Sequence, residues 1–432
     1  MTYTDKNMRI IVLLLFYFIP IACQNIEQES LVNPAHLQKL YHEIVVDKDT
    51  AAFVYIYAEY PEYKPIEATD EGIACADDIA RAAVFYLRYF EYTDIPEYEE
   101  KARRLIRMLL LMQAKNGFFY NFLDEQYRIE KNTTNSQPDG NWWTWRALWA
   151  ISEGYQFWKN TDPVWAEELL KRIKSAIPGI REMDGLYPRK VDFEGYQYPT
   201  WLPLQYAADQ SAVLVMALLP YAEITQDSSI ISIIKHQCEG MMQMQIMDEG
   251  FTQGAFLSWP GLWHAYGNSQ ADALLKAYSL LKNESVLTAA ENELVNFYPR
   301  LEGEGFMNRI QLERSEKTWN VKEKVKFEQI AYGIRPMVWA LLSSADIKHF
   351  KTDALKAADV ACWLLGNNPA DAAMYNPETG RCFDGINSDH EVNKNSGAES
   401  TIEALLTILE IEKNPAAKER FHSFYLERKS SK

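Results

Sequence analysis

The 432-residue sequence predicts an all-α fold, an (α/α)6 toroid of six helical hairpins with short strands or loops at one end. The first observation is a short segment, opening with glycine and containing an aromatic residue, that recurs at intervals of 68, 65, 55 and 75 residues. The second is that a pair of helical patterns precedes each copy. Recurrence at this spacing is typical of a repeated supersecondary unit, here a helical hairpin closed by a loop. The copies begin at Gly117, Gly185, Gly250, Gly305 and Gly380.

Twelve helical segments form the six predicted pairs. Several starts carry capping signals, such as Asp162 before Pro163 and Asn414 before Pro415. A further short helix is predicted at 34–47. The pairs are 72–90 with 95–114, 139–159 with 163–178, 205–224 with 228–247, 263–282 with 285–297, 327–345 with 352–366, and 396–412 with 415–427.

The two members of a pair differ in hydrophobic pattern. The first is apolar nearly all round, as in 212–219 and 402–411, whereas the second is usually amphipathic, as in 164–174. A helix that is apolar on every side is buried on every side. We therefore expect six inner helices surrounded by six outer ones in one domain. The alternative is an open superhelical array of helix pairs, which the irregular repeat lengths disfavour.

The N-terminus has the pattern of a targeting segment. A charged start precedes an apolar run at 10–19 that is too short to span a bilayer comfortably. The run leads to Ile21-Ala22-Cys23, which resembles a bacterial lipobox; the alternative is an ordinary secretory signal with an incidental Cys23. Gln24 after the Cys resembles an outer-membrane lipoprotein, so we expect anchoring at the cell envelope. The expected divisions are a signal peptide at 1–23 with lipidation of Cys23, a polar tether at 24–32 and the toroid at 33–430.

Composition excludes some functions. The net charge is −16 and no basic stripe is visible, which disfavours nucleic-acid binding. The four Cys residues after the signal show no C-x-x-C spacing, so we expect free thiols rather than a zinc or redox site. No motif predicts a metal or a cofactor. The 12 Trp and 25 Tyr exceed what packing alone usually needs and suit a half-wetted groove for sugars.

Polar residues recur near the starts of the predicted inner helices. These helices run the same way, so the positive ends of their dipoles meet at one face. Charged side chains on buried apolar helices are costly unless paired or functional, so this face is predicted to be a ligand site. Of the adjacent Asp77 and Asp78, only one can face its centre, and the other is placed to pair with Arg81. The residues predicted to bind the ligand are Asp70, Trp142, Trp143, Arg146, Asp209, Trp263, His264, Tyr332 and Arg335.

The chain resembles the six-hairpin glycosidase-like superfamily over nearly its whole length. Its best local match, L-G-N-N-P at 365–369, resembles the L-G-x-N-P segment of family 9 glycoside hydrolases. In that family the segment precedes the helix with the catalytic Glu, so the resemblance implies that Glu399 is the general acid. The sequence N-S-G-A-E-S-T around Glu399 departs from the family's Glu motif, and the D-A-G-D segment that supplies its base is absent. The base is therefore assigned to Asp77 or Asp78.

The predicted function is hydrolysis of a glycan or oligosaccharide by paired carboxyl groups, one donating a proton and one activating water or attacking carbon. Three alternatives stay open. Sugar 2-epimerases on this fold work through two His, for which His264 and His390 are the candidates. A lyase acting on uronic acid glycans needs basic residues for the substrate carboxylate. A non-catalytic surface lipoprotein binds glycan only. The basic residues available to a lyase are Arg146, Arg189 and Arg335.

Overall fold

The computed structural model describes residues 29–46, 48–67 and 71–431, and the predicted toroid is confirmed. Residues from Leu31 onward form one unit built from six helical hairpins. The predicted signal peptide, Cys23 and most of the predicted tether lie outside the described residues, as does Asp70. In chain order the helices of the described residues are α1 (Ala35–Leu40), α2 (Ala76–Thr93), α3 (Pro96–Met112), α4 (Trp142–Trp158), α5 (Pro163–Asp184), α6 (Ala208–Thr225), α7 (Ser228–Gln243), α8 (Gln270–Leu281), α9 (Glu284–Asn292), α10 (Tyr298–Gly303), α11 (Arg335–Lys348), α12 (Lys351–Ala361), α13 (Ala398–Lys413) and α14 (Pro415–Ser430).

The inner ring consists of α2, α4, α6, α8, α11 and α13, which are the helices predicted to be inner. They are buried nearly all round; in α6, for instance, every residue from Ala208 to Ala222 is buried. Each inner helix packs against the next, and α13 packs against α2. The ring is therefore closed, and the open array is excluded.

The outer ring consists of the amphipathic partners α3, α5, α7, α9 with α10, α12 and α14. A five-residue π-helical segment, Glu293–Phe297, joins α9 to α10. The outer helices bury one stripe and expose the other, as in α5, where Leu169 and Ile173 are buried beside exposed charged residues. None of the helices in the described part of the chain is both long and apolar enough to cross a membrane.

The helix predicted at 34–47 is wrong beyond Leu40. The chain there forms an antiparallel pair of strands, β1 (Tyr41–Val46) and β2 (Asp49–Val54). Exposure alternates along β1, and the β-branched run at 44–46 favours a strand over a helix. The continuous burial of 51–54 reflects packing of β2 on the helices of the first hairpin.

Of the other strands of the described residues, β3, β4 and β5 precede the first hairpin and the rest lie in the loops between hairpins, where the glycine-containing segments also occur. All their pairings are antiparallel, in small sheets of two or three strands. The strands pair as β3 (Tyr57–Glu59) with β4 (Lys64–Ile66), β5 (Ala74–Cys75) with β6 (Phe122–Leu123), β7 (Lys190–Phe193) with β8 (Tyr196–Pro199), β9 (Leu262–His264) with β10 (Arg309–Ser315) and β10 with β11 (Thr318–Val325), β12 (Tyr375–Asn376) with β13 (Arg381–Cys382), and β14 (Gly385–Ser388) with β15 (Glu391–Asn393).

The inner helices begin later than the sequence predicts. The largest shifts are at α8 and α11, which start at Gln270 and Arg335 instead of near 263 and 327. Residues 262–264 pair with β10, and residues before Arg335 form a bridge to Ile386 and a short 3-10 turn. Several residues predicted to lie on helix starts therefore lie on loops that cover this end of the ring.

Candidate active site

A cleft of about 420 Å³ opens at the N-terminal ends of α2, α11 and α13. Its volume falls within the range of about 300–1,000 Å³ that is usual for small-molecule sites. It is lined by the starts of α2 and α13 and by the loop before α11, instead of by all six inner helices, and Arg81 and Tyr332 form part of its wall. Six carboxyl side chains face it: Glu71, Asp77, Asp78, Glu328, Asp384 and Glu399.

The two aspartates at the start of α2 have different environments. Asp78 accepts a hydrogen bond of 2.6 Å from Arg81 one turn later, and its side chain is only 2% exposed. Asp77 is 19% exposed and lies 2.8 Å from the guanidinium of Arg146 on α4. Both stand in the first turn, where the helix dipole favours negative charge. Asp77 is therefore the more accessible of the pair.

Arg81 connects the first inner helix to the last. Its Nη1 donates to Glu399 and to Glu403 on α13, each at 3.0 Å. Glu403 also accepts from Arg335 on α11, so two arginines enclose one carboxylate that has no exposed surface. Although burial alone raises the pKa of Glu403, Arg335 and Arg81 hold it below its ordinary value.

The three arginines surround the ring of Tyr332. Arg146 donates a hydrogen bond to its hydroxyl, and the guanidinium carbons of Arg146, Arg81 and Arg335 lie 5.0, 5.2 and 5.6 Å from its centroid. Burial raises the pKa of the Tyr332 hydroxyl. The floor of the cleft is thus a packed network in which each arginine already holds at least one carboxylate. Arg146 and Arg335, which were predicted to bind the ligand, belong to this network and do not line the cleft.

Burial raises the pKa of Asp78 to about 6, even though the positive charge of Arg81 acts in the opposite direction. The nearby charges of Glu399 and Asp77 add to the rise. Because Asp78 and Glu399 contact the two terminal nitrogens of one guanidinium, their nearest oxygens lie within about 8 Å of each other.

Glu399 is the accessible carboxylate of the network, with 42% of its side chain exposed. It lies in the first turn of α13, whose N-cap is Gly397. The carbonyl of Ile56 lies 2.5 Å from the position a Cβ on Gly397 would occupy, so no larger residue fits without a shift. That close approach accounts for the glycine in the N-S-G-A-E segment and fixes where Glu399 emerges.

The predicted tryptophans do not line the cleft. Trp143 is buried and its indole N–H donates to the carbonyl of Phe119 at 2.8 Å, which is a structural contact. Trp263 is also buried and borders a separate cavity of about 20 Å³ behind Tyr266. Trp142 lies against Arg146, with the guanidinium 4.8 Å from its ring. The expectation of a cleft lined by these three residues is wrong: Trp142 and Trp143 lie in the first turn of α4, which does not border the cleft, and Trp263 lies on β9. Of the predicted aromatic residues, Tyr332 lines it.

Asp209 and His264 form a second buried pair. Asp209 lies in the first turn of α6, and His264 is the last residue of β9, before α8. Nε2 of His264 lies 2.9 Å from Oδ2 of Asp209, and its Nδ1 lies 2.8 Å from the carbonyl of Tyr266. Both side chains are nearly inaccessible, and neither lines the cleft. His390 is exposed in the turn between β14 and β15. The structure therefore does not place the two candidate histidines in this cleft.

Sequence reasoning missed two carboxylates of the site. Glu403 is the one charged residue in the buried stretch 402–409 of α13, and this was a usable signal because a charge there needs a partner. Asp384 lies in the loop between β13 and β14, and only the fold brings it to the start of α13. All four cysteines of the described residues are buried and form no disulfide. Across the described ranges no cluster of three or more His, Cys, Asp or Glu side chains is arranged to hold a metal ion.

No protein-family model matches the sequence, and no curated protein matches it. Solved structures of similar fold do exist. A sugar epimerase from a ruminal bacterium superimposes with a TM-score of 0.60 at 12% identity, covering 90% of this chain and 97% of the epimerase. Cellobiose 2-epimerase from Spirochaeta thermophila gives 0.58 at 11% identity, covering 84% of this chain and 90% of that one.

A family 76 glycoside hydrolase from a bovine Bacteroides thetaiotaomicron strain is also similar. Its TM-score is 0.56 at 11% identity, with coverage of 90% of this chain and 79% of the hydrolase. At such identities the likeness concerns the fold alone. This toroid is shared by proteins described as epimerases and as glycoside hydrolases, so the chemistry has to be argued from the cleft.

Proposed function

We propose that this protein is a carbohydrate-active enzyme that hydrolyses a glycosidic bond in the cleft at the starts of α2, α11 and α13. The observation that carries the proposal is that accessible Glu399 lies in the cleft among further carboxyl groups, with Asp384 beside the start of its own helix and Asp78 across Arg81. Glycosidases separate their two carboxyl groups by about 5–9.5 Å, and the shared contact with Arg81 keeps the nearest oxygens of Glu399 and Asp78 below the upper end of that range.

The binding surface supports a sugar ligand. The cleft combines carboxylates with Tyr57, Phe122 and Tyr332, and with the amides of Asn121 and Asn387. Carboxylates and amides hydrogen-bond sugar hydroxyls, and aromatic rings stack on the apolar faces of pyranoses. The similar fold of the family 76 glycoside hydrolase is consistent with this reading.

The positions of the arginines disfavour a lyase for uronic acid glycans, which would need them to bind the substrate carboxylate. Arg81, Arg146 and Arg335 are each committed to a carboxylate of the protein, and Arg189 is exposed on a loop outside the cleft. Six lining carboxylates also oppose an anionic substrate. An epimerase is favoured by the fold neighbours, but His264 and His390 lie outside the cleft lining.

The experiment is incubation of purified protein with a panel of neutral, amine-bearing and uronic acid oligosaccharides, with products separated and identified by NMR. We expect shorter saccharides with a new reducing end. Products of unchanged length and altered configuration identify an epimerase, and products with a new carbon–carbon double bond identify a lyase. Binding without any product identifies a glycan-binding protein. Each of these three results overturns the hydrolase proposal.

A further inference from the structure

Asp384 is hydrogen-bonded to two residues that flank Glu399 at the start of α13. Its Oδ1 accepts hydrogen bonds from the backbone N–H of Gly397 at 2.8 Å and from the hydroxyl of Ser400 at 2.6 Å. These donors stand on either side of Glu399 in the sequence. Asp384 is thereby held at the start of α13, and its carboxyl group and that of Glu399 both line the cleft.

The two groups differ in their partners. Glu399 is ion-paired with Arg81 at 3.0 Å, whereas no Lys, Arg or His of the described residues forms an ion pair with Asp384. The Oδ2 atom of Asp384 makes no hydrogen bond within the described part of the chain. Adding a proton to Glu399 costs its ion pair with Arg81, whereas a proton on Oδ2 of Asp384 leaves Oδ1 in place to accept from Gly397 and Ser400. Burial raises the pKa of Asp384, although the hydrogen bonds from Ser400 and Gly397 act in the opposite direction, and the neighbouring charge of Glu399 adds to the rise.

We propose that Asp384 is the proton donor of the reaction and that Glu399 acts as its ionised partner. This assignment depends on the proposed hydrolase function and deepens it. It replaces the acid role of Glu399 implied by the resemblance to family 9, because Glu399 is the cleft carboxylate that is both accessible and paired with Arg81. It also replaces the base role of Asp77 and Asp78, which hold Arg146 and Arg81.

Hydrolysis of one glycosidic bond consumes one water molecule. Asp384 transfers its proton to the glycosidic oxygen while the bond from that oxygen to C1 breaks, and the electron pair leaves with the oxygen. Water attacks C1, and Glu399 accepts its proton. The products are a hemiacetal and an alcohol. The proton on Glu399 then returns to Asp384 through solvent, which restores both groups.

The Asp384→Asn variant removes proton donation but keeps the hydrogen bonds at the start of α13. Asn keeps a carbonyl oxygen that accepts from Gly397 and Ser400, but it cannot donate a proton to a leaving group as a carboxylic acid does. The probes are two aryl glycosides of whichever sugar the wild type releases, with 2,4-dinitrophenyl and phenyl leaving groups. Dinitrophenolate departs without a proton, whereas phenolate needs one.

We expect Asp384→Asn to lose about a hundredfold or more in kcat on the phenyl glycoside and less than about tenfold on the dinitrophenyl glycoside. Glu399→Gln should lose activity on both. Asp384→Glu retains a proton donor, so it should recover part of the phenyl glycoside activity even if Asp384→Asn folds poorly. Thermal unfolding of each variant checks that the fold is kept.

If Asp384→Asn loses the same factor in kcat on both glycosides, Asp384 is a positioning residue and the proposal is overturned. Wild-type rates of Asp384→Asn on both glycosides would also overturn it. If Glu399→Gln is the variant that spares the dinitrophenyl glycoside, Glu399 is the proton donor instead. A wild type that cleaves no oligosaccharide or aryl glycoside refutes the hydrolase function itself. If the wild type is active but Asp384→Asn shows no difference between the phenyl and dinitrophenyl glycosides, only the role of Asp384 is refuted.

Discussion

Arg81 and Glu403 form a buried ion pair of 3.0 Å between the first and last inner helices. The pair lies where the ring of hairpins closes, directly beneath the cleft. The guanidinium also holds Asp78 and Glu399, so one side chain links closure of the fold to the position of two candidate active-site carboxyl groups.

Arg81→Met should destabilise the protein by about 3–5 kcal/mol, because it leaves buried carboxylates without their cation. The free energy of unfolding in urea measures this. The matched control is Arg420→Met, which removes a pair with Asp359 whose side chains are 47% and 44% exposed. It should cost about 1 kcal/mol or less. Equal costs for the two variants would show that the central network contributes no more than a surface pair.

Glu293, in the π-helical segment, is expected to make the free energy of unfolding depend on pH. It is fully buried, and burial raises its pKa from 4.5 to about 8. The folded state therefore holds this proton more tightly than the unfolded state, and the stability it contributes is lost as pH rises from 4.5 through about 8. Glu293→Gln keeps an acceptor for the N–H of Phe256, a bond of 3.1 Å, but does not ionise.

The difference in unfolding free energy between wild type and Glu293→Gln should change with pH. Between pH 4.5 and about 8 the wild type should lose stability relative to the variant by up to about 1.4 kcal/mol per pH unit. Measuring the difference removes the contributions of other carboxyl groups, because both proteins share them. A constant difference over this range would mean that Glu293 ionises normally in the folded protein.

Gly117, in the first glycine-containing loop, is required by a close approach as well as by its φ of +87°. A Cβ there would collide with the backbone carbonyl of Ser175 on α5, whereas Gly195, at φ +74°, has no atom within 4 Å of the same position. Gly195→Ala should cost about 1–2 kcal/mol from backbone strain alone. Gly117→Ala should cost about 4 kcal/mol or more in urea unfolding. Similar losses would show that the loop moves away from α5 freely.

Lipidation at Cys23 stays a prediction from the sequence. Cys23→Ala should move the protein from the membrane fraction to the soluble fraction of a bacterial expression host, because acyl chains supply the membrane affinity. Mass spectrometry of the wild type should find a lipidated Cys23 at its N-terminus. A soluble wild type that begins at another residue would rule out the lipid anchor.

The toroid was predictable because helix periodicity and all-round hydrophobicity are local properties of the sequence. Residues 212–219 identify an inner helix without any tertiary information. The short strands were less predictable, since β5 and β6 contain two residues each and pair over a separation of about fifty residues.

The cleft was predicted in part. Asp77, Asp78, Glu399 and Tyr332 stand at helix starts or just before them, where the dipole argument places ligand sites. Asp384 lies on a loop and reaches the cleft only through its contacts with Gly397 and Ser400. Trp143 and Trp263 were expected in the cleft because aromatic residues suit sugars, but the sequence does not reveal that Trp143 donates to Phe119 or that Trp263 lies on a strand paired with β10.

The most direct test of the central claim is the rate at which Glu399→Gln cleaves the oligosaccharide that the wild type hydrolyses. Gln matches Glu in size but can neither hold a charge nor accept a proton from water, so turnover should fall by about a hundredfold or more while substrate binding persists. Glu419→Gln, an exposed substitution on α14, should keep the wild-type rate. Hydrolysis by Glu399→Gln at the wild-type rate would contradict the account and leave Glu399 with a structural role at the start of α13.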